Sequence, residues 1–152
     1  MKTIKIQILT LAFLTVMGFA KAFAIGGPAT NFLGEIHASG TYFKTMPSDS
    51  WANINSTQSV KAAYADFDGE AFVTLVAYDK QTDITLDFLV AVSKGELQVI
   101  VENSQKEVVY AQTFANNQSV QVPLTLDVYE EYKIRFVGNQ TGGAYICKWT
   151  KQ

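Results

Sequence analysis

The feature that most narrows the fold is a two-residue period. Ile84, Leu86, Phe88, Val90 and Val92 alternate with Thr85, Asp87 and Ser93. Leu97, Val99 and Val101 repeat the pattern, with Gln98 and Glu102 outward. Val108, Tyr110 and Phe114 follow, then Val120, Val122, Leu124 and Leu126, then Tyr132, Ile134 and Phe136. Successive side chains of a strand point to opposite faces, so each run buries one face and wets the other. Val, Ile, Thr and aromatics fill these runs, as a pleated, half-buried surface prefers. Nothing after residue 25 sustains a helical period.

Turn signals separate the runs. Asp68-Gly69, Lys94-Gly95, Asn103-Ser104, Asn116-Asn117 and Gly142-Gly143 each predict a turn. Their spacing is mostly near the ~8–12 residues of an all-β sandwich. Pro123 has no N–H to give a ladder, which suits an edge strand or a bulge. The expected fold class is all-β: a single antiparallel β-sandwich or jelly roll of about eight strands.

Residues 1–24 read as a secretory signal peptide. Lys2 and Lys5 form a basic start, Ile8 to Ala20 an uncharged apolar run, and Ala22-Phe23-Ala24 a small-x-small cleavage site. The run is short for a bilayer span. The leader holds three lysines and no acid, so its removal leaves nine basic against fourteen acidic residues, a charge of −5. That charge disfavours a nucleic-acid partner, and no basic cluster attracts anionic lipid. The one Cys, Cys147, lies far from the apolar run, so a lipid-anchored thiol is not expected. The expected product is exported, secreted or periplasmic, with no membrane attachment after cleavage. Residues 25–58 read as an N-terminal extension, with a first strand within Glu35–Met46 and a polar loop, Pro47 to Ser59, that carries Trp51. Residues 59–152 read as the sandwich domain.

From Ser59 to Trp149 the layout resembles a group of small exported bacterial β-sandwich domains, jelly rolls of the galactose-binding-like type. The residues that carry the likeness are Tyr64-Ala65-Asp66-Phe67-Asp68-Gly69, Gly95-Glu96-Leu97-Gln98-Val99, Tyr132 to Gly138, and Gly143 to Trp149. The resemblance implies fold and export more than function. The group usually has an aliphatic where this chain has Cys147. Tyr145 and Trp149 share its face, so Cys147 is expected to act as a small buried hydrophobe.

No catalytic residue is expected. Nucleophilic catalysis needs a nucleophile held by a base. The single His37 falls in a strand-like stretch, and no Gly-x-Ser-x-Gly elbow occurs. Asp66, Asp68 and Glu70 cluster around Gly69, and Glu130 and Glu131 form a second acidic pair. The first cluster supplies the oxygen ligands a structural Ca²⁺ wants, although it lacks the EF-hand pattern, and its plain reading is a solvated turn. Sugar binding needs an exposed aromatic platform with polar neighbours. Trp51 is the leading candidate, with Asn53 beside it and Tyr42 and Tyr78 at strand ends. Trp149 reads as core. Asn-x-Ser/Thr triplets begin at Asn55, Asn117 and Asn139. The expected function is an exported, non-catalytic binding module, with carbohydrate as ligand. The rivals are an envelope or surface protein–protein assembly domain using an exposed edge, and a small carboxylate-dependent hydrolase.

Overall fold

The computed structural model describes residues 31–33, 36–43, 51–56 and 58–152, with side chains from residue 58 onward. The leader, residues 1–24, lies outside the described residues. Among the described residues eight strands follow one another: β1 (Asn31–Leu33), β2 (Ile36–Phe43), β3 (Trp51–Ser56), β4 (Ser59–Ala77), β5 (Thr82–Glu102), β6 (Val108–Phe114), β7 (Gln118–Leu126) and β8 (Glu131–Lys151). Every strand pairing is antiparallel. The all-β expectation holds, and Pro123 lies in β7, which pairs with β5 alone among the described strands. β2 falls within the stretch read as a first strand. Trp51 does not sit in a loop; it opens β3 and pairs with β4.

Three of the five expected turns are not turns. Asp68-Gly69, Lys94-Gly95 and Gly142-Gly143 lie inside strands of 19, 21 and 21 residues. The chain bends at each but does not reverse, because β8 pairs with β4 and with β5 on both sides of the bend. The ladder slips between Tyr64 and Phe67, between Phe67 and Gly69, and between Val92, Lys94 and Glu96. Each irregularity offsets the two-residue period. Core positions in β5 run 84, 86, 88, 90 before the bend and 97, 99, 101 after it. In β8 they run 132, 134, 136 and then 145, 147, 149. An extra residue at a bulge shifts the alternation by one, so the same face of the sheet stays inward.

The bends align into a crease across β4, β8 and β5, and the outer strands change there. On one side β3 flanks Ser59–Tyr64 and β7 flanks Thr82–Val90. On the other, β2 flanks Ala71–Ala77 and β6 flanks Leu97–Glu102. The halves fold over each other. Phe136 and Tyr145, on the same strand, stack with ring centroids 3.8 Å apart and planes 5° from parallel. Nine residues of extended strand would separate them by roughly 30 Å. Phe88, from the first half, meets Phe136 edge-on at 6.4 Å and stacks on Tyr110 at 5.9 Å.

Gly143 is where the crease demands glycine. Its φ is +150°, and a Cβ there would run into the Ala91 carbonyl oxygen of the neighbouring strand. Gly95 is similar, with φ +65° and a would-be Cβ 2.6 Å from the Gln140 carbonyl oxygen. Cys147 and Trp149 are buried at 0% and 2% exposure, as expected from their alternation. Burial pushes the Cys147 thiol far above its ordinary range.

Candidate functional site

The connections at one end of the sandwich carry the most exposed aromatic group among the described residues. β4 ends at Ala77, and Tyr78 follows it. β7 ends at Leu126, and residues 127–130 lead into β8. These two segments are tied together. Val128 bridges Ala77, and the Tyr129 N–H donates to the Ala77 carbonyl at 2.8 Å. The Glu130 N–H donates to the Asp127 carbonyl at 3.2 Å and closes a turn. Tyr129 has φ +59°, the left-handed region that side-chain-bearing residues seldom adopt. The result is a tyrosine 73% exposed, set edge-on to Tyr78 with centroids 6.1 Å apart and planes 80° from parallel. Tyr78 and Val128 are each 39% exposed.

The same connections carry hydrogen-bonded polar groups. Gln81 Nε2 donates to Asp127 Oδ1 at 2.6 Å, and the Tyr132 hydroxyl donates to Asp127 Oδ2 at 3.3 Å. Partial burial, more than any neighbouring charge, raises the Tyr132 phenol above its ordinary value. The turn after β5 joins this end through Glu130, whose Oε1 accepts from the Ser104 N–H at 3.1 Å and hydroxyl at 2.6 Å. An exposed ring pair whose connecting segments also carry an amide and a carboxylate suits a ligand that offers an apolar face and several hydroxyls.

The other sequence candidates occupy separate places. Register sets Trp51 opposite Tyr64, Asn53 opposite Ala62 and Tyr42 opposite Phe72. Six residues of strand, about 20 Å, separate Phe72 from Tyr78, and the crease lies between Tyr64 and Phe72. The side chains of Tyr42, Trp51 and Asn53 lie outside the described residues. Only Tyr78 of the four reaches the end just described. Tyr129 escaped the sequence reading. The available signal was an aromatic inside a short polar connection between two alternating runs, the same signal that singled out Trp51.

The acidic cluster put forward for Ca²⁺ does not converge. Among the described residues no three His, Cys, Asp or Glu side chains are grouped to hold a metal. Asp66 pairs with Lys94 at 3.0 Å across the crease. Glu70 turns to the outer face of the sheet and pairs with Arg135 at 2.5 Å, while Glu102 takes the other side of the same guanidinium at 3.1 Å. The three side chains are 14%, 27% and 13% exposed in the order Glu70, Arg135, Glu102. The hydrogen bond to Glu70, the larger influence, holds Arg135 still more firmly protonated. On the same face Lys133 Nζ lies 4.7 Å from the Phe72 ring centroid. This triad ties three adjacent strands together and leaves its arginine saturated, so it reads as structural.

No family model matches the chain, and no curated protein matches it. Solved structures resemble its fold. A family 35 carbohydrate binding module from Clostridium thermocellum is 11% identical, with 76% of this chain and 89% of that chain covered and a TM-score of 0.41. The N-terminal cellulose-binding domain of Cellulomonas fimi β-1,4-glucanase C is 15% identical over 86% of this chain and 98% of that one, with a TM-score of 0.41. The secreted serine protease VesC from Vibrio cholerae is 16% identical over 82% of this chain and 25% of its own length, with a TM-score of 0.47.

Proposed function

We propose that the protein is an exported, non-catalytic binding module whose ligand is a carbohydrate, gripped at the Tyr78–Tyr129 end of the sandwich. The observation that carries this reading is Tyr129. A large ring is 73% exposed, its backbone is in a disfavoured conformation, and the Ala77 carbonyl and a closed turn keep it there. Strain of that kind persists where the surroundings over-determine it, and it gathers at ligand clamps. Asp127 and Gln81, bonded to each other in the same two connections, would turn to sugar hydroxyls as acceptor and donor. The leader-like residues 1–24 support export, to the periplasm or beyond the cell.

The test is a glycan array followed by calorimetric titration of any hit. Removing one stacking ring by Tyr129→Ala should weaken binding by about two- to tenfold, because an aromatic contact is worth about 0.5–1.5 kcal/mol beyond its area. Tyr78→Ala should weaken the same ligand. Absence of glycan affinity, or a glycan bound equally well by both variants, rejects the reading.

A further inference from the structure

We infer that the sugar held at the Tyr78–Tyr129 end carries a free amine: the ligand class is an amino-sugar glycan in its cationic form. This rests on the carbohydrate reading above and names the class of sugar. Four acidic residues lie within two positions of the two tyrosines. Asp79 follows Tyr78, and Asp127, Glu130 and Glu131 flank Tyr129. Lys80 is the one base in the same spans, so they carry a net charge of −3. Neighbouring Cα atoms are about 3.8 Å apart, so each of these acids starts within roughly 8 Å of a tyrosine Cα. That is about one Debye length at physiological salt, so their field still reaches a ligand on the rings. The turn bound to Glu130 through Ser104 adds Lys106 and Glu107, which cancel. Residues 58–152 hold eight basic and twelve acidic side chains, −4 in all, so three of the four net negative charges belong to this end.

These carboxylates are not matched by cations. None of the four makes an ion pair among the described residues. The Asp127 carboxylate accepts from the Gln81 amide and the Tyr132 hydroxyl, and Glu130 accepts from Ser104, all uncharged donors. Asp66, Glu70 and Glu102, by contrast, each face a lysine or arginine. The rings add a second attraction. Tyr78 and Tyr129 stand edge-on, so both faces of one ring are left uncovered by the other. A ring face is electron-rich and draws a cation. An amino sugar uses both features: its C–H face stacks on a ring, and its ammonium group lies in the field of the acids. A uronate or sulfated sugar meets like charge there, and a neutral sugar leaves the charge unused.

The test is calorimetric titration of the full chain with three probes: a glucosamine oligomer, its N-acetylated counterpart of the same length, and a galacturonate oligomer. Acetylation keeps the sugar ring and erases the charge. The free amine should bind about fivefold tighter than the acetylated form, with the galacturonate weakest. That preference should shrink in about 1 M salt, where the Debye length is about 3 Å. Asp79→Asn with Glu131→Gln, both exposed, should cut the preference at least about twofold and leave the affinity for the acetylated oligomer unchanged. Asp68→Asn with Glu96→Gln removes the same charge at the crease and should leave the preference intact. Equal binding of the free and acetylated oligomers, tighter binding of the galacturonate, or a preference that salt does not reduce overturns the amino-sugar inference and leaves the carbohydrate reading standing. So does a preference that the first pair of substitutions spares or that the crease pair lowers as much. No binding of any of the three, with a blank glycan array, overturns both.

Discussion

Gly143→Ala tests the crease on which the whole sandwich depends. Gly143 sits where β8 bends between its two partners, at φ +150°, with the Ala91 carbonyl directly in the path of a Cβ. Alanine would have to hold a backbone conformation almost reserved for glycine, at about 1–3 kcal/mol. It would also push β5 from β8 at the joint, and overpacking of this kind costs about 1–3 kcal/mol more. A combined loss of about 4 kcal/mol is a large part of the stability of an ordinary domain, ~5–15 kcal/mol. At roughly 4 °C per kcal/mol for a chain of this size, Tm should fall about 15 °C. Thermal and urea unfolding followed by far-ultraviolet circular dichroism measure it. No such loss is expected three residues earlier. Gln140 has φ +47° and is exposed. Gln140→Gly relieves about 1 kcal/mol of left-handed strain against a similar entropy cost, so it should be neutral or slightly stabilising. A Gly143→Ala protein that melts within about 3 °C of the native chain refutes the crease geometry. Equal losses in both variants refute the backbone argument.

Arg135→Ala leaves Glu70 and Glu102 facing each other at low exposure, and should cost about 2–4 kcal/mol in urea unfolding. In a Glu70→Gln, Glu102→Gln background the same change should cost far less; an equal cost would show that the triad does not act as a unit. Cys147 should not react with a thiol reagent in the native protein and should react fully in denaturant; rapid native labelling would contradict its burial. Burial raises Cys147, Tyr145 and Tyr64 in the folded chain, so unfolding at high pH releases protons. Stability should be flat below the ordinary thiol pKa and fall as pH climbs past it, by up to about 1.4 kcal/mol per pH unit per group. Cys147→Ala should remove part of that slope, measured by urea unfolding between pH 8 and 10.5. The Tyr129→Ala loss of glycan affinity completes the set.

Much of the fold was legible in the sequence because burial in a sheet is written residue by residue. Ile84, Leu86, Phe88 and Val90 alternate and are all buried, and the same holds for Tyr145, Cys147 and Trp149. The shift of phase from even to odd positions between Val90 and Leu97 was also present, and it marks a bulge. A turn leaves the same trace, so the period alone does not distinguish them. The candidate site was less legible. Tyr78 stood out as an aromatic at a strand end, but Tyr129 becomes prominent only once Ala77 and the 127–130 turn hold it out of the core. Glu70 looked like a member of an acidic turn, and its partner Arg135 is 65 residues away.

The sequence by itself determined that this chain forms antiparallel strands, which side chains face inward, and where the backbone must leave the regular ladder. Each of those is a local property: a two-residue period, a glycine, an Asp-Gly pair. The tertiary structure alone decided that the chain runs on through Gly69, Gly95 and Gly143 instead of turning back. A glycine permits a given φ, but whether the strand beyond it reverses or continues depends on which neighbour takes up its hydrogen bonds. Here β8 pairs with the same two strands on both sides of the crease, and that long-range register makes three expected turns into bends of one folded sheet.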